Sequence, residues 1–210
     1  KVFENFRIFT VDLNKFNQIE EDLFHQVRQT TFEFDLIRNY RIMKQGYSHM
    51  IQDGIREAGR QNISILKGIT PNDFIDFIGQ RGVMVTKSIN KEQLNKLRMI
   101  VAFVLKHGLG EIYAAYTREN NLCAAILFLR SNRKINILFS AISPEGYDVR
   151  AMEMLIDQYI QHHAERNLTM NFEHLAIPEK EAFCRGFGGK QYHYTTVSNR
   201  NNIVLRKIFS

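Results

Sequence analysis

Apolar positions change their period several times along the chain, and each change marks a predicted element. Residues 5–11 and 31–36 alternate apolar and polar, as half-buried strands do. Between them Ile19, Leu23 and Val27 recur at helical spacing and predict a short helix over 18–28. A second helix follows over 47–58, with Arg56 and Arg60 at its end, and then a strand over 62–66. Thr70-Pro71-Asn72-Asp73 starts a helix, Thr as N-cap and Pro at the first helical position, and places Phe74, Phe77 and Ile78 on one face. Asn90 starts another, in which Leu94, Leu97, Ile100, Val101 and Val104 are predicted inward and His107-Gly108 forms the close.

Three strands are predicted next, over 111–116, 122–129 and 135–142, joined by short polar connections at 118–121 and 131–133. An amphipathic helix over 149–166 turns Met152, Leu155, Ile156, Tyr159 and Ile160 inward. A strand over 169–175, a short helix over 178–185 and strands over 192–197 and 203–208 complete the chain. From residue 62 the order is therefore β-α-α-β-β-β-α-β-α-β-β.

Composition narrows the picture by exclusion. The 210 residues, 44% hydrophobic and 24% charged, are those of an ordinary globular protein. No apolar run approaches the roughly 20 residues that span a bilayer, and the start lacks an apolar signal-peptide core. The chain opens on strand-like material without an initiator Met, so an N-terminal part is expected to precede it. Cys123 and Cys184 have no partner at metal-ligand spacing; Cys123 reads as a buried thiol, and a reducing cytoplasm is the expected location. The charge of +6 is scattered, which suits a solvated surface and an anionic, phosphate-rich ligand such as a CoA pyrophosphate or tRNA. His162 and His163 project about 100° apart on a helix and read as surface residues rather than a metal pair. No phosphate-binding Walker loop, Ser-His-Asp order or zinc spacing occurs.

Three stretches carry a family resemblance. Tyr47-Ser48 through Arg56-Glu57-Ala58 to Asn62-Ile63, Ile137-Leu138-Phe139-Ser140-Ala141 through Arg150-Ala151 to Leu155-Ile156, and Met170-Asn171-Phe172-Glu173 through Phe183 and Arg185 to Phe187-Gly188-Gly189 together resemble the GNAT-type domain of bacterial Fem-like proteins, relatives of the peptidoglycan aminoacyl-transferases. The resemblance implies an α/β, GNAT-like acyl-CoA N-acyltransferase fold: a mixed, mostly antiparallel sheet with a splayed central strand pair and flanking helices. Residues 60–210 would form one complete GNAT-like domain, and residues 1–59 the tail of an incomplete first unit plus a connecting helix.

The same resemblance assigns a site. Backbone groups of Ser140, Ala141 and Ile142, freed by the splay, would hold the acyl thioester. Gly146, Tyr147, Arg150 and Ala151 would meet the pyrophosphate at a helix N-terminus, although Glu145 and Asp148 place negative charge there. Glu173 stands where such enzymes keep a base; the bland reading is a carboxylate making structural hydrogen bonds at a strand end. Strand alternation would put Phe172 and His174 on one face and Asn171 and Glu173 on the other. Tyr192 substitutes for the general-acid Tyr that residues 182–187 lack, with cross-strand packing as its bland reading. The implied function is transfer of an acyl or aminoacyl group from a CoA thioester or aminoacyl-tRNA to an amine. Acetyl-CoA or another acyl-CoA would be a cosubstrate, with no tightly bound cofactor and no metal; the partners are an acyl donor and an amine acceptor, with tRNA as a further candidate. The competing readings are a degenerate GNAT-fold binding protein and an RNA-binding protein.

Overall fold

In the computed structural model, which describes residues 8–11, 24–80, 82–85 and 90–199, the chain begins with β1 (Ile8–Val11), β2 (Phe24–Asp35), α1 (Tyr40–Gln45), α2 (His49–Arg60) and β3 (Ser64–Lys67). It continues with α3 (Pro71–Ile78), β4 (Met84–Val85), α4 (Lys91–Lys106), β5 (Gly110–Tyr116), β6 (Leu122–Ser131) and β7 (Lys134–Ile142). After these come α5 (Pro144–Asp148), α6 (Ala151–His163), β8 (Thr169–Asn171), α7 (Lys180–Gly186) and β9 (Lys190–Asn199). Two compact units result: Phe32–Lys190, and the residues up to Thr31 with those from Gln191. The end of α2, where a domain boundary was expected near residue 59, lies inside Phe32–Lys190.

Within Phe32–Lys190 the strand order is β2-β8-β7-β6-β5-β3, with β4 beside β7. Neighbours are antiparallel except β7 and β8, which run parallel. Side-chain alternation builds a core on each face. Tyr113, Ala124, Ile126, Phe128, Ile135 and Ile137 pack with α2 and α6 residues such as Ile51, Met152, Leu155 and Ile156. The alternate residues Ile112, Ala114, Ala125 and Leu127 pack with Phe74, Phe77, Leu97, Val101 and Val104 of α3 and α4. Each Val, Leu, Ile, Phe or Met among them contributes about 1.5–3 kcal/mol on leaving water, so both faces of the sheet stabilise the fold.

The helix starts follow local chemistry. Thr70 caps α3 by accepting from the Asp73 N–H at 3.1 Å, with Pro71 in the first turn. Asn90 and Gln93 exchange side-chain and backbone bonds at the start of α4, both 2.9 Å. In the smaller unit β1 pairs antiparallel with β9 from Ile8↔Ser198 to Val11↔Thr195, and Thr30 Oγ1 lies 3.0 Å from His193 Nδ1.

Several sequence expectations need correction. Phe24–Arg28 belong to β2 rather than to a helix; the rest of that predicted helix lies outside the described residues, as does the strand over 203–208. Ile100 is 48% exposed, because the buried stripe of α4 is Leu97, Val101 and Val104. The helix expected over 149–166 is the shorter α6, and a separate short helix, α5, precedes it across Val149 and Arg150, the latter at φ 60°. His163 is buried, with Nδ1 3.0 Å from the Tyr159 carbonyl and Nε2 3.0 Å from Glu111. None of α1, β4 and α5 has a counterpart among the elements the sequence predicts.

Candidate functional site

The parallel pair β7–β8 holds only over Lys134↔Thr169, Ile135↔Met170 and Asn136↔Asn171. Two local features end it. On β7 the register opposite β6 passes from Ile137↔Phe128 to Phe139↔Leu127, leaving Leu138 as a bulge that bends the strand. On β8 the Asn171 side chain accepts from the Glu173 N–H at 2.8 Å, an Asx turn that stops the strand. The expected strand over 169–175 is therefore three residues long, and Glu173 and His174 sit in a turn rather than on alternate faces. The central strands splay, as the GNAT-type arrangement requires.

The gap is short. At its far end β4 pairs antiparallel with β7 through Met84↔Ile142 and Val85↔Ala141. Of the three β7 residues expected to hold a thioester, Ala141 and Ile142 thus have a strand of the same chain beside them. Both are fully buried, Ala141 in the α3–α4 core and Ile142 in the α2–α6 core. Ser140 spans the gap: its buried hydroxyl donates to the His174 carbonyl at 3.0 Å and accepts from the Ala176 N–H at 2.6 Å. Only Ile137 to Ser140 separate the β8-paired and β4-paired portions of β7, roughly 13 Å of strand at about 3.3 Å per residue.

The loop expected to cradle a pyrophosphate is internally satisfied. The Gly146 N–H donates to Ser143 Oγ at 3.0 Å, Tyr147 to the Ser143 carbonyl at 3.0 Å and Val149 to the Glu145 carbonyl at 3.1 Å. Gly146 is glycine for close packing, since a Cβ there would stand 2.2 Å from the Cys123 carbonyl oxygen. Ala151 is fully buried, and Tyr147 is half-buried against the same core. Arg150 is different. It caps α6 with no side-chain hydrogen bond to the helix, lies 5.8 Å from the Tyr147 ring centre and is 3.6 Å from buried Glu153. Burial, outweighing Arg150 and the backbone, raises the Glu153 pKa.

Arg150 also lines a cavity of about 560 Å³ with Arg56 and Arg60 of α2, beside Asp53 and Glu57. Arg56 pairs with Asp53, and Arg60 lies 3.5 Å from Glu57. The sequence placed these arginines at a helix end but did not connect them with Arg150.

Glu173 is half-buried, its carboxylate 3.9 Å from His174 Nε2, and its carbonyl accepts from the Lys180 ammonium. Burial lowers the Lys180 pKa against the opposing pull of Cys184 and Glu173. Sequence reasoning missed Lys180; its only signal was a lysine opening the short helix after the splayed strand. Tyr192 is half-buried on β9 and belongs to the smaller unit, whereas Glu173 belongs to the larger. Among the described residues no group of three His, Cys, Asp or Glu side chains could hold a metal ion, and no helix is long and apolar enough to cross a membrane.

No family model and no curated protein matches the chain. Solved structures do. FemX matches with a TM-score of 0.60 at 11% identity, over 85% of this chain and 63% of its own. L-PGS from Bacillus licheniformis matches at 0.56 and 9% identity, over 96% of this chain and 70% of its own. The C-terminal domain of a protein described as a lysylphosphatidylglycerol synthetase from Agrobacterium fabrum matches at 0.52 and 11%, over 90% and 66%. The chain thus spans less than two thirds of the length of FemX. At such identities the likeness is one of fold, and the fold is defined by it: a Fem-like, GNAT-related α/β architecture.

Proposed function

We propose that the protein is an N-acyltransferase that moves an aminoacyl or acyl group from an activated ester or thioester to an amine. The observation that carries this reading is the divergence of β7 and β8 after Asn136 and Asn171, with Glu173 in the turn after β8 and Lys180 reaching its carbonyl; the proposed slot for the donor lies in that divergence. A carbonyl carbon in that slot is attacked by the amine nitrogen. The C–N bond forms as the bond to the carrier breaks, and the Glu173 carboxylate takes the proton lost by the amine and returns it to the departing oxygen or sulfur. The Lys180 ammonium stabilises the negative charge that develops on the carbonyl oxygen. Positioning of two bound reactants supplies much of the remaining rate.

The donor this geometry favours is the ester of an aminoacyl-tRNA. An extended pantetheine arm laid along β7 would have to displace Met84 and Val85 from Ile142 and Ala141, whereas an aminoacyl ester at the end of a nucleic acid needs only the short slot. The phosphates nearest that end would compete with Asp53, Glu57 and Glu153 for Arg56, Arg60 and Arg150 around their cavity.

The test offers the purified chain an amine acceptor with either aminoacyl-tRNA or acetyl-CoA and follows acylated product by mass spectrometry. Product from aminoacyl-tRNA is expected, falling about 10²-fold or more with Glu173→Gln. Absence of turnover with both donors would sink the proposal, and efficient use of acetyl-CoA would overturn the choice of donor. A second reading, a binding protein that has kept the fold without transfer, is favoured by the internally consumed N–H groups of the Ser143–Val149 turn. It predicts donor binding without product.

A further inference from the structure

At the other end of α6 from the slot, about 20 Å away along its thirteen residues, the starts and ends of β5, β6 and β3 surround a second cavity of about 220 Å³. Its interior charges are already matched. Glu111 is 2.5 Å from the Lys67 ammonium and 3.0 Å from His163 Nε2. Burial would raise the Glu111 pKa, but the hydrogen bonds and charges of His163 and Lys67 outweigh it and hold the carboxyl at about 2. The aromatic wall is fixed too: Phe128 and Tyr159 stack at 3.6 Å, and His163 stacks on Tyr159 at 4.2 Å.

Two arginines at the rim are not matched. Arg130 at the end of β6 and Arg166 after α6 are exposed, and neither guanidinium has a hydrogen-bond or ion-pair partner among the described residues. In the 560 Å³ cavity, by contrast, Arg56, Arg60 and Arg150 each face a carboxylate. With Lys67 facing Glu111, the smaller cavity keeps a surplus of two guanidinium charges.

We infer that this cavity is a binding site for a small phosphate monoester. A guanidinium is a planar fork of donors that matches two oxygens of a phosphate, and two of them balance a dianion. At about 30 Å³ per water, 220 Å³ holds roughly seven waters, which is room for one phosphate and a few carbon atoms. The carbon part meets the edges of Phe128 and Tyr159, which reach the cavity although nearly all of each ring is buried. The site stands apart from the slot and does not depend on the transfer reading.

Calorimetric titration of the whole chain with inorganic phosphate, with glycerol 3-phosphate and with a twelve-nucleotide RNA tests this. Both small phosphates are expected to bind, glycerol 3-phosphate more tightly, and the double variant Arg130→Gln/Arg166→Gln to weaken both at least tenfold. Arg118→Gln, an exposed arginine elsewhere, is the control and should bind as the parent does. The two single variants, each expected about threefold weaker, serve if the double variant does not fold by circular dichroism. No heat with either small phosphate up to 10-fold above roughly millimolar concentration, undiminished binding in the Arg130/Arg166 variants, or binding of the RNA alone would each overturn the inference.

Discussion

Replacing Ser140 by Ala removes a side chain that stitches the splayed strands together. Its hydroxyl is fully buried, donates to the His174 carbonyl at 3.0 Å and accepts from the Ala176 N–H at 2.6 Å. Two net hydrogen bonds are worth about 0.5–1.5 kcal/mol each, and the Ala176 N–H, left buried without an acceptor, carries a penalty of about 1–3 kcal/mol that overlaps with them. A loss of about 2 kcal/mol follows. At about 2–4 °C per kcal/mol for a chain of this size, the melting temperature should fall by about 4–8 °C. The same 2 kcal/mol, localised in the turn, should speed hydrogen exchange at the Ala176 amide by roughly 30-fold, at about 1.4 kcal/mol per factor of ten. Amides in α4, packed on the other face of the sheet, should exchange with no such local acceleration. A melting temperature within about 1 °C of the parent, together with an unchanged Ala176 exchange rate, would refute the view that Ser140 holds the turn.

Two further outcomes follow from the packing and charges. Gly146→Ala should destabilise by about 1–3 kcal/mol, because the new Cβ would meet the Cys123 carbonyl oxygen at 2.2 Å; a melting curve that does not move would show that the backbone yields there. Glu111, held at about 2 against an ordinary 4.5, contributes stability that is fully present above about pH 4.5 and is lost as pH falls towards 2. Urea unfolding from pH 6 to pH 2.5 should show a shallower acid loss in Glu111→Gln than in the parent, and parallel curves would contradict the assignment.

Helices and central strands were legible where periodicity and capping agree. Thr70-Pro71 and Asn90 with Gln93 announce α3 and α4, and Met152, Leu155, Ile156, Tyr159 and Ile160 line the inner face of α6 as their spacing says. Burial in a long helix is also set by what lies opposite, which is why Ile100 faces solvent although it is apolar. Two-residue β4 exists only because the β7 edge is open to it, so no pattern in Met84-Val85 announces it. For the site, sequence could place Ser140 and Glu173 at the two strands that diverge, but not the consequences of folding. That Gly146 approaches Cys123, that Lys180 reaches the Glu173 carbonyl, and that Arg130 and Arg166 share a rim are all contacts between residues far apart in the chain or set by turn geometry.

The extra residue at Leu138 also reverses the parity of its strand. Before it, odd-numbered Ile135 and Ile137 enter the core shared with α6; beyond it, even-numbered Ile142 does, while odd-numbered Ala141 enters the opposite core. Deleting Leu138 would leave Ile137 opposite Phe128, Phe139 opposite Leu127 and Ser140 opposite Ile126 in one unbroken register, so the bend would go while each of these side chains kept its face. A single codon's length thus decides whether this strand bends just past its last parallel pair or runs on straight.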